Sequence, residues 1–176
     1  MPNLLLVPEC HADTALARAL VQDRVDLVYH QHGISKVGLA LQDLWQLHGP
    51  TYRVLALVDA DKKFQDVTLL AGFQIEVERC SQPGCEFRIL THPDRPGHYL
   101  VVLEPACDAW LFGVAGAGSL DLVALGLPAE QRAFRQQTKQ KGAEDTSAMQ
   151  RLLRAVQRSR PAAYQQLAAF VARIIA

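Results

Sequence analysis

The sequence predicts an α/β protein: a mostly parallel sheet flanked by helices, with a helical extension at its C-terminal end. Three observations predict it. Short, nearly continuous apolar runs suit strands buried on both faces. These runs alternate with stretches whose apolar residues recur every three to four positions, the spacing of an amphipathic helix. From Ala106 onward the chain reads as helices alone.

The elements follow in order. Asn3–Val7 (NLLLV) is the first strand. Ala12, Ala15, Leu16, Ala19 and Leu20 then mark one face of a helix, with Asp13 in its first turn suiting the helix dipole. Val25–Tyr29 (VDLVY) reads as a second strand. Ser35 is placed to cap a second helix that buries Val37, Ala40, Leu41, Leu44 and Trp45 and stops at Gly49-Pro50. Tyr52–Val58 (YRVLALV) is a third strand.

The pattern then changes. Phe73–Glu78 alternates apolar and polar residues, Ser81–Gly84 is a turn, and Glu86–Leu90 pairs back as a hairpin. His92–Gly97 reads as a loop before the strand Tyr99–Leu103. Ala106–Val114 is a short helix. Pro128 begins another that runs to about Gln140. Lys141–Ser147 reads as a polar loop, Ser147 caps a further helix, and Pro161 starts the last. The expected organisation is an α/β domain over residues 1–127, with basic helices 128–176 packed on it.

Composition narrows the class. The chain has 176 residues, 49% hydrophobic and 20% charged, which suits one folded domain and excludes a mostly disordered chain. No apolar run reaches the roughly 20 residues of a membrane span. The start lacks the basic stretch and long apolar core of a signal peptide, so the expected compartment is the cytosol. Cys10, Cys80, Cys85 and Cys107 are then expected as thiols. Charge is divided: residues 1–127 hold nine basic and fifteen acidic side chains, residues 128–176 nine basic and three acidic. Such a division suits a cation site in the body and an anion site on the tail, or simply attraction between the two parts.

In an open parallel sheet, ligands bind beyond the carboxyl ends of the strands. The first strand ends in Pro8-Glu9-Cys10-His11 and the third in Asp59-Ala60-Asp61-Lys62. If the two strands are neighbours, Glu9, Asp59 and Asp61 converge. Grouped carboxylates repel unless a cation or a proton joins them, and an all-oxygen set suits Mg²⁺ or Mn²⁺. An aspartate in such a loop is also a common turn former or cap, so the pairing of the two segments carries the signal, not either aspartate alone.

The segments LLLVPECHADTALARAL and VLALVDADKKF resemble a Toprim domain, in which a glutamate follows the first strand and an Asp-x-Asp a later one. LEPACDAWLF (Leu103–Phe112) is similar to a segment of small stand-alone Toprim-like proteins of the RloB-like kind, with Asp108 at the acidic and Trp110 at the aromatic position. The resemblance covers residues 3–115. It implies a Mg²⁺-dependent nuclease or related phosphodiester-processing protein like those of the OLD class, with phage defence as the implied setting and a protein partner from such a system. Glu9, Asp59 and Asp61 would be its catalytic and metal-binding residues. Asp13 matches an acidic position four residues after the glutamate. One departure is Cys10, where the family has glycine. A non-catalytic regulatory or partner-binding subunit on the same scaffold is the alternative.

Other candidates are weaker. Arg151, Arg154 and Arg158 share one helix face and can contact successive phosphates of a nucleic acid; so can Arg132, Arg135 and Lys139. A solvated helix face accounts for both stripes as well. Lys36 offers a phosphate contact near a helix start. His30-x-His32, just after the expected second strand and so near Cys10 and His11 in the fold, offers imidazole and thiolate to Zn²⁺, and with Asp59 it suits a hydrolase of small phosphates. Gly113–Gly118 lacks the strand and Lys-Ser/Thr of a P-loop.

Overall fold

The computed structural model describes residues 3–22 and 24–175. Five strands form one mixed sheet, in the order β1-β2-β5-β4-β3. These are β1 (Asn3–Pro8), β2 (Tyr52–Asp59), β3 (Ile75–Cys80), β4 (Phe87–His92) and β5 (Arg95–Leu103). β1, β2 and β5 run parallel; β3, β4 and β5 form an antiparallel meander. Six helices flank the sheet: α1 (His11–Leu20), α2 (Ile34–His48), α3 (Cys107–Ala117), α4 (Gln131–Thr138), α5 (Ser147–Ser159) and α6 (Ala162–Ile175).

The parallel strands are apolar almost without break because each side of the sheet has its own core. Leu4, Leu6, Leu55, Leu57, Val101 and Leu103 face α1, α3, α5 and α6. Val7, Val54, Ala56, Val58, Leu100 and Val102 face α2 and the segment around Phe64, Leu70 and Phe73. Successive side chains of a strand point to opposite faces, so two covered faces require apolar residues at both parities. The C-terminal helices share the first of these cores through residues such as Leu152, Val156, Leu167 and Val171.

Several expectations need correction. Val25–Tyr29 is not a strand. Val25–Leu27 forms a 3₁₀ turn closed by hydrogen bonds from Leu27 and Val28 to Arg24 and Val25. Only Val28 bridges to Leu6 of β1, and Val25 and Tyr29 stay more than half exposed. Local turn bonds and an Arg24–Asp26 ion pair outcompete a ladder that five residues would hold on one edge only. His92–Gly97 is not a loop: β4 and β5 continue to a tight turn at Pro93-Asp94. α2 begins after Gly33 (φ +116°), a conformation that Ser35 would not adopt cheaply. α4 begins after Glu130, whose carboxylate accepts from the N–H groups of Arg132 and Ala133, so Pro128 lies outside it. Thr146, not Ser147, caps α5.

The glycine-rich stretch has a packing role. A Cβ at Gly113 would lie 1.9 Å from the carbonyl oxygen of Gly84, so α3 rests directly on the turn between β3 and β4. Trp110, fully buried, donates its indole N–H to the Cys85 carbonyl at 2.9 Å and locks the same contact. No described helix is long and apolar enough to cross a membrane. All four cysteines are free.

Candidate metal centres at the first strand end

The turn from β1 into α1 carries Glu9, Cys10, His11 and Asp13, and its side chains divide between two environments. β1 and β2 pair in parallel with Pro8 opposite Leu57, which sets Glu9 beside the end of β2. The Asp59 backbone N–H donates to Glu9 Oε2 at 3.3 Å. Asp59 Oδ1 in turn accepts from the Cys107 N–H, at the start of α3, at 2.8 Å. Glu9, Asp13 and Asp59 are all buried. Asp13 Oδ2 accepts from the Cys10 N–H at 3.0 Å, and its Oδ1 is buried without a hydrogen-bond partner. Burial, then the charges of Asp59 and Glu9, hold the Asp13 carboxyl well above the usual carboxylate range. Burial also pushes the Cys10 and Cys107 thiols up, so both remain protonated.

Glu9 and Asp59 are thus brought together, while Asp61 stands apart. It is exposed, its N–H donates to the Pro105 carbonyl at 3.0 Å, and it lines an open depression of about 440 Å³ with Glu86 and Glu104. Cys10 has φ −132° and ψ −177°, an extended backbone open to any residue.

The second environment gathers histidines. The Gln31 N–H donates to the Pro8 carbonyl at 2.9 Å and the Gly33 N–H to the Glu9 carbonyl at 3.2 Å, clamping the His30–Gly33 loop onto the strand end. The ring of His30 lies 4.9 Å from that of His11 and 4.4 Å from that of His32, centroid to centroid. His11 Nδ1–H donates to Glu144 Oε2 at 2.8 Å, and His30 Nδ1 lies 3.9 Å from Glu144 Oε1. Burial, then the neighbouring His32 and His11, lowers the His30 pKa and keeps its ring neutral at pH 7. Sequence reasoning set these imidazoles beside the Cys10 thiolate. The Cys10 thiol is protonated, and the acidic member of the group is Glu144. It lies in the 3₁₀ turn Ala143–Asp145, within the segment expected as a polar loop. Its neighbour Ala143 is buried, but one alanine in a polar segment gives no sequence signal.

The basic residues divide as well. Arg135 and Lys139 pair with buried Asp108 at 3.1 and 3.4 Å, whereas Arg132 of the same stripe is exposed. Arg151, Arg154 and Arg158 are exposed along α5, opposite its buried Met149, Leu152 and Val156; Arg151 also donates to the Leu125 carbonyl. Lys36 is exposed in the first turn of α2. Comparison of the chain with protein-family models, with curated proteins and with solved structures finds no match in any of the three.

Proposed function

We propose that the protein is a Toprim-like, Mg²⁺-dependent nuclease or related phosphodiester-processing protein acting on nucleic acid. The observation that carries this reading is the hydrogen bond from Asp59 to Glu9 across the carboxyl ends of two adjacent parallel strands. It joins acids fifty residues apart where such sheets bind ligands. The donor chemistry fits the ion. Glu9, Asp59 and Asp61 offer oxygen alone, as Mg²⁺ or Mn²⁺ prefers. Asp13 also fits: burial and then the charges of Asp59 and Glu9 raise its carboxyl, and a cation there would relieve that repulsion.

When bound, the ion supplies Lewis-acid polarisation of a phosphodiester oxygen. Asp59 would hold it, and Asp61 would join only by turning in from the exposed depression that it lines. Glu9 holds a second ion or moves a proton. Arg151, Arg154 and Arg158 contact phosphates along the strand. Phage defence, with a protein partner from the same system, is the setting proposed for this activity.

The test is cleavage of plasmid DNA and of single-stranded RNA in Mg²⁺, Mn²⁺ or chelator, by wild type and by Glu9→Ala and Asp59→Ala. Metal-dependent cleavage lost in both variants, with the fold intact by circular dichroism, is the expected result. Cleavage retained in both rejects the assignment. A second reading, a non-catalytic partner-binding subunit, is favoured by one feature: Glu9 and Asp59 each already accept a backbone N–H, and Asp61 stands apart from them. It predicts no cleavage by wild type and no rise in melting temperature with Mn²⁺.

A further inference from the structure

The carboxylate reading leaves the histidines on the other side of the same turn unused. We propose that His11, His30 and Glu144 bind one Zn²⁺ ion, with His32 at the fourth position. Among the described residues, these three offer donor atoms that all lie within 4.8 Å of one another. Tetrahedral zinc at about 2.0–2.1 Å from each ligand sets its donors about 3.3 Å apart, so the set must close by about 1.5 Å or less.

Three further observations support the site. His30 Nε2 is buried and has no hydrogen-bond partner. A buried ring nitrogen without a partner is costly, and ligation through that nitrogen would remove the cost. The His11–Glu144 hydrogen bond accounts for two members of the group but not for the convergence of His30 and His32 on them. Three chain segments are held next to one another before an ion arrives. His11 opens α1, and the His30 loop is clamped to Pro8 and Glu9. The Glu144 turn is held to α1 by an Arg18–Asp145 ion pair at 2.6 Å.

The donor set selects the ion. Imidazole nitrogen with one carboxylate suits Zn²⁺ and its transition-metal neighbours and is a poor match for Mg²⁺, which prefers oxygen and water. Binding joins segments that lie 133 residues apart in the chain and so stabilises the folded state. The proposal does not rest on the phosphodiester reading, and either can fail alone.

The experiment uses the full chain, freed of metal by chelation. Zn²⁺ is titrated by calorimetry, and Co²⁺ is followed by its visible absorption, which separates four-coordinate from six-coordinate cobalt. Wild type should take up one equivalent of Zn²⁺, melt at a higher temperature with it, and give the strong four-coordinate cobalt spectrum. His30→Ala and Glu144→Gln should each weaken Zn²⁺ binding at least about tenfold. His32→Ala should keep the stoichiometry and change the cobalt spectrum, whereas Asp59→Asn should leave Zn²⁺ affinity within about twofold. The absence of one-to-one binding by wild type overturns the proposal. So does unchanged affinity in His30→Ala, or a loss in Asp59→Asn as large as in His30→Ala. An unchanged cobalt spectrum in His32→Ala overturns the fourth ligand. The wild-type cobalt spectrum depends on no variant, so a variant that misfolds does not remove the test.

Discussion

Glu9 and His11 are two residues apart, yet they belong to sites of different construction. The carboxylate pocket is buried and tied by backbone N–H groups: Asp59 to Glu9, Cys107 to Asp59, Cys10 to Asp13. The histidine cluster is partly open and joined by side chains, with Glu144 as its hub. Backbone-anchored geometry follows from strand register and is set once the sheet forms. Side-chain geometry depends on which distant segment packs nearby. One β–α turn can therefore present hard oxygen donors inward and softer nitrogen donors outward.

The largest expected contrast is between Asp59→Ala and His30→Ala. If the proposed nuclease activity is present, Asp59→Ala should reduce metal-dependent cleavage at least about a hundredfold, the loss of a positioned charge. It should also destabilise the metal-free protein by about 1–3 kcal/mol, because the buried Cys107 N–H loses its acceptor. His30→Ala should cost less than about 1 kcal/mol without metal, since half-buried side chains outside a core contribute little. Equal losses in urea titration would break the distinction between the two sites.

Acid titration sharpens it, with His98 as control. His98 is fully buried beside Trp45, with both ring nitrogens unpartnered, and burial lowers its pKa to about 4. Its unfolded value is higher, so the unfolded chain takes up the proton first. Stability is therefore full above pH 6.5 and falls as pH drops towards 4. The loss is at most about 3 kcal/mol, and His98→Phe should flatten that part of the pH–stability curve. Asp13 has the opposite sign. Its folded pKa is raised well above the ordinary aspartate value of 3.8, so stability falls as pH rises above 3.8. Asp13→Asn keeps an acceptor for the Cys10 N–H and should raise the melting temperature at pH 8, with no gain below pH 3.8. A lower melting temperature at pH 8 would show that the ionised carboxylate is compensated.

The smallest effects belong to the α5 arginines. Arg158→Ala should change stability by no more than about 0.5 kcal/mol. If the face binds nucleic acid, each arginine removed should reduce the salt slope of binding by about one, measured by fluorescence anisotropy. An unchanged slope for all three would leave the stripe as a solvated surface.

Parts of this were legible in the sequence. The parallel strands were, because two buried faces demand apolar residues at every position, as in Leu4–Val7 and Val54–Val58. The strand ends placed Glu9 near Asp59 on the condition that the two strands are neighbours, which the sheet order supplies, but they did not separate Asp61. The VDLVY segment misled because five apolar-rich residues suit a strand or a turn equally, and only the open edge of β1 decides between them. The basic stripe of α4 misled because Arg135 and Lys139 have a partner, Asp108, on another helix. Glu144 was invisible: a single glutamate in a polar segment carries no sign of two imidazoles contributed by residues more than a hundred positions away.

What the sequence by itself determined is what period and local chemistry encode: an α/β sheet, its buried strands, and an acid at the end of β1 and of β2. What only the tertiary structure decided is which long-range neighbours those residues meet. Hydrophobic patterning specifies which face of an element is covered, not which element covers it, so the packing of the 143–145 turn on α1 had to be seen before His11, His30 and Glu144 formed one cluster.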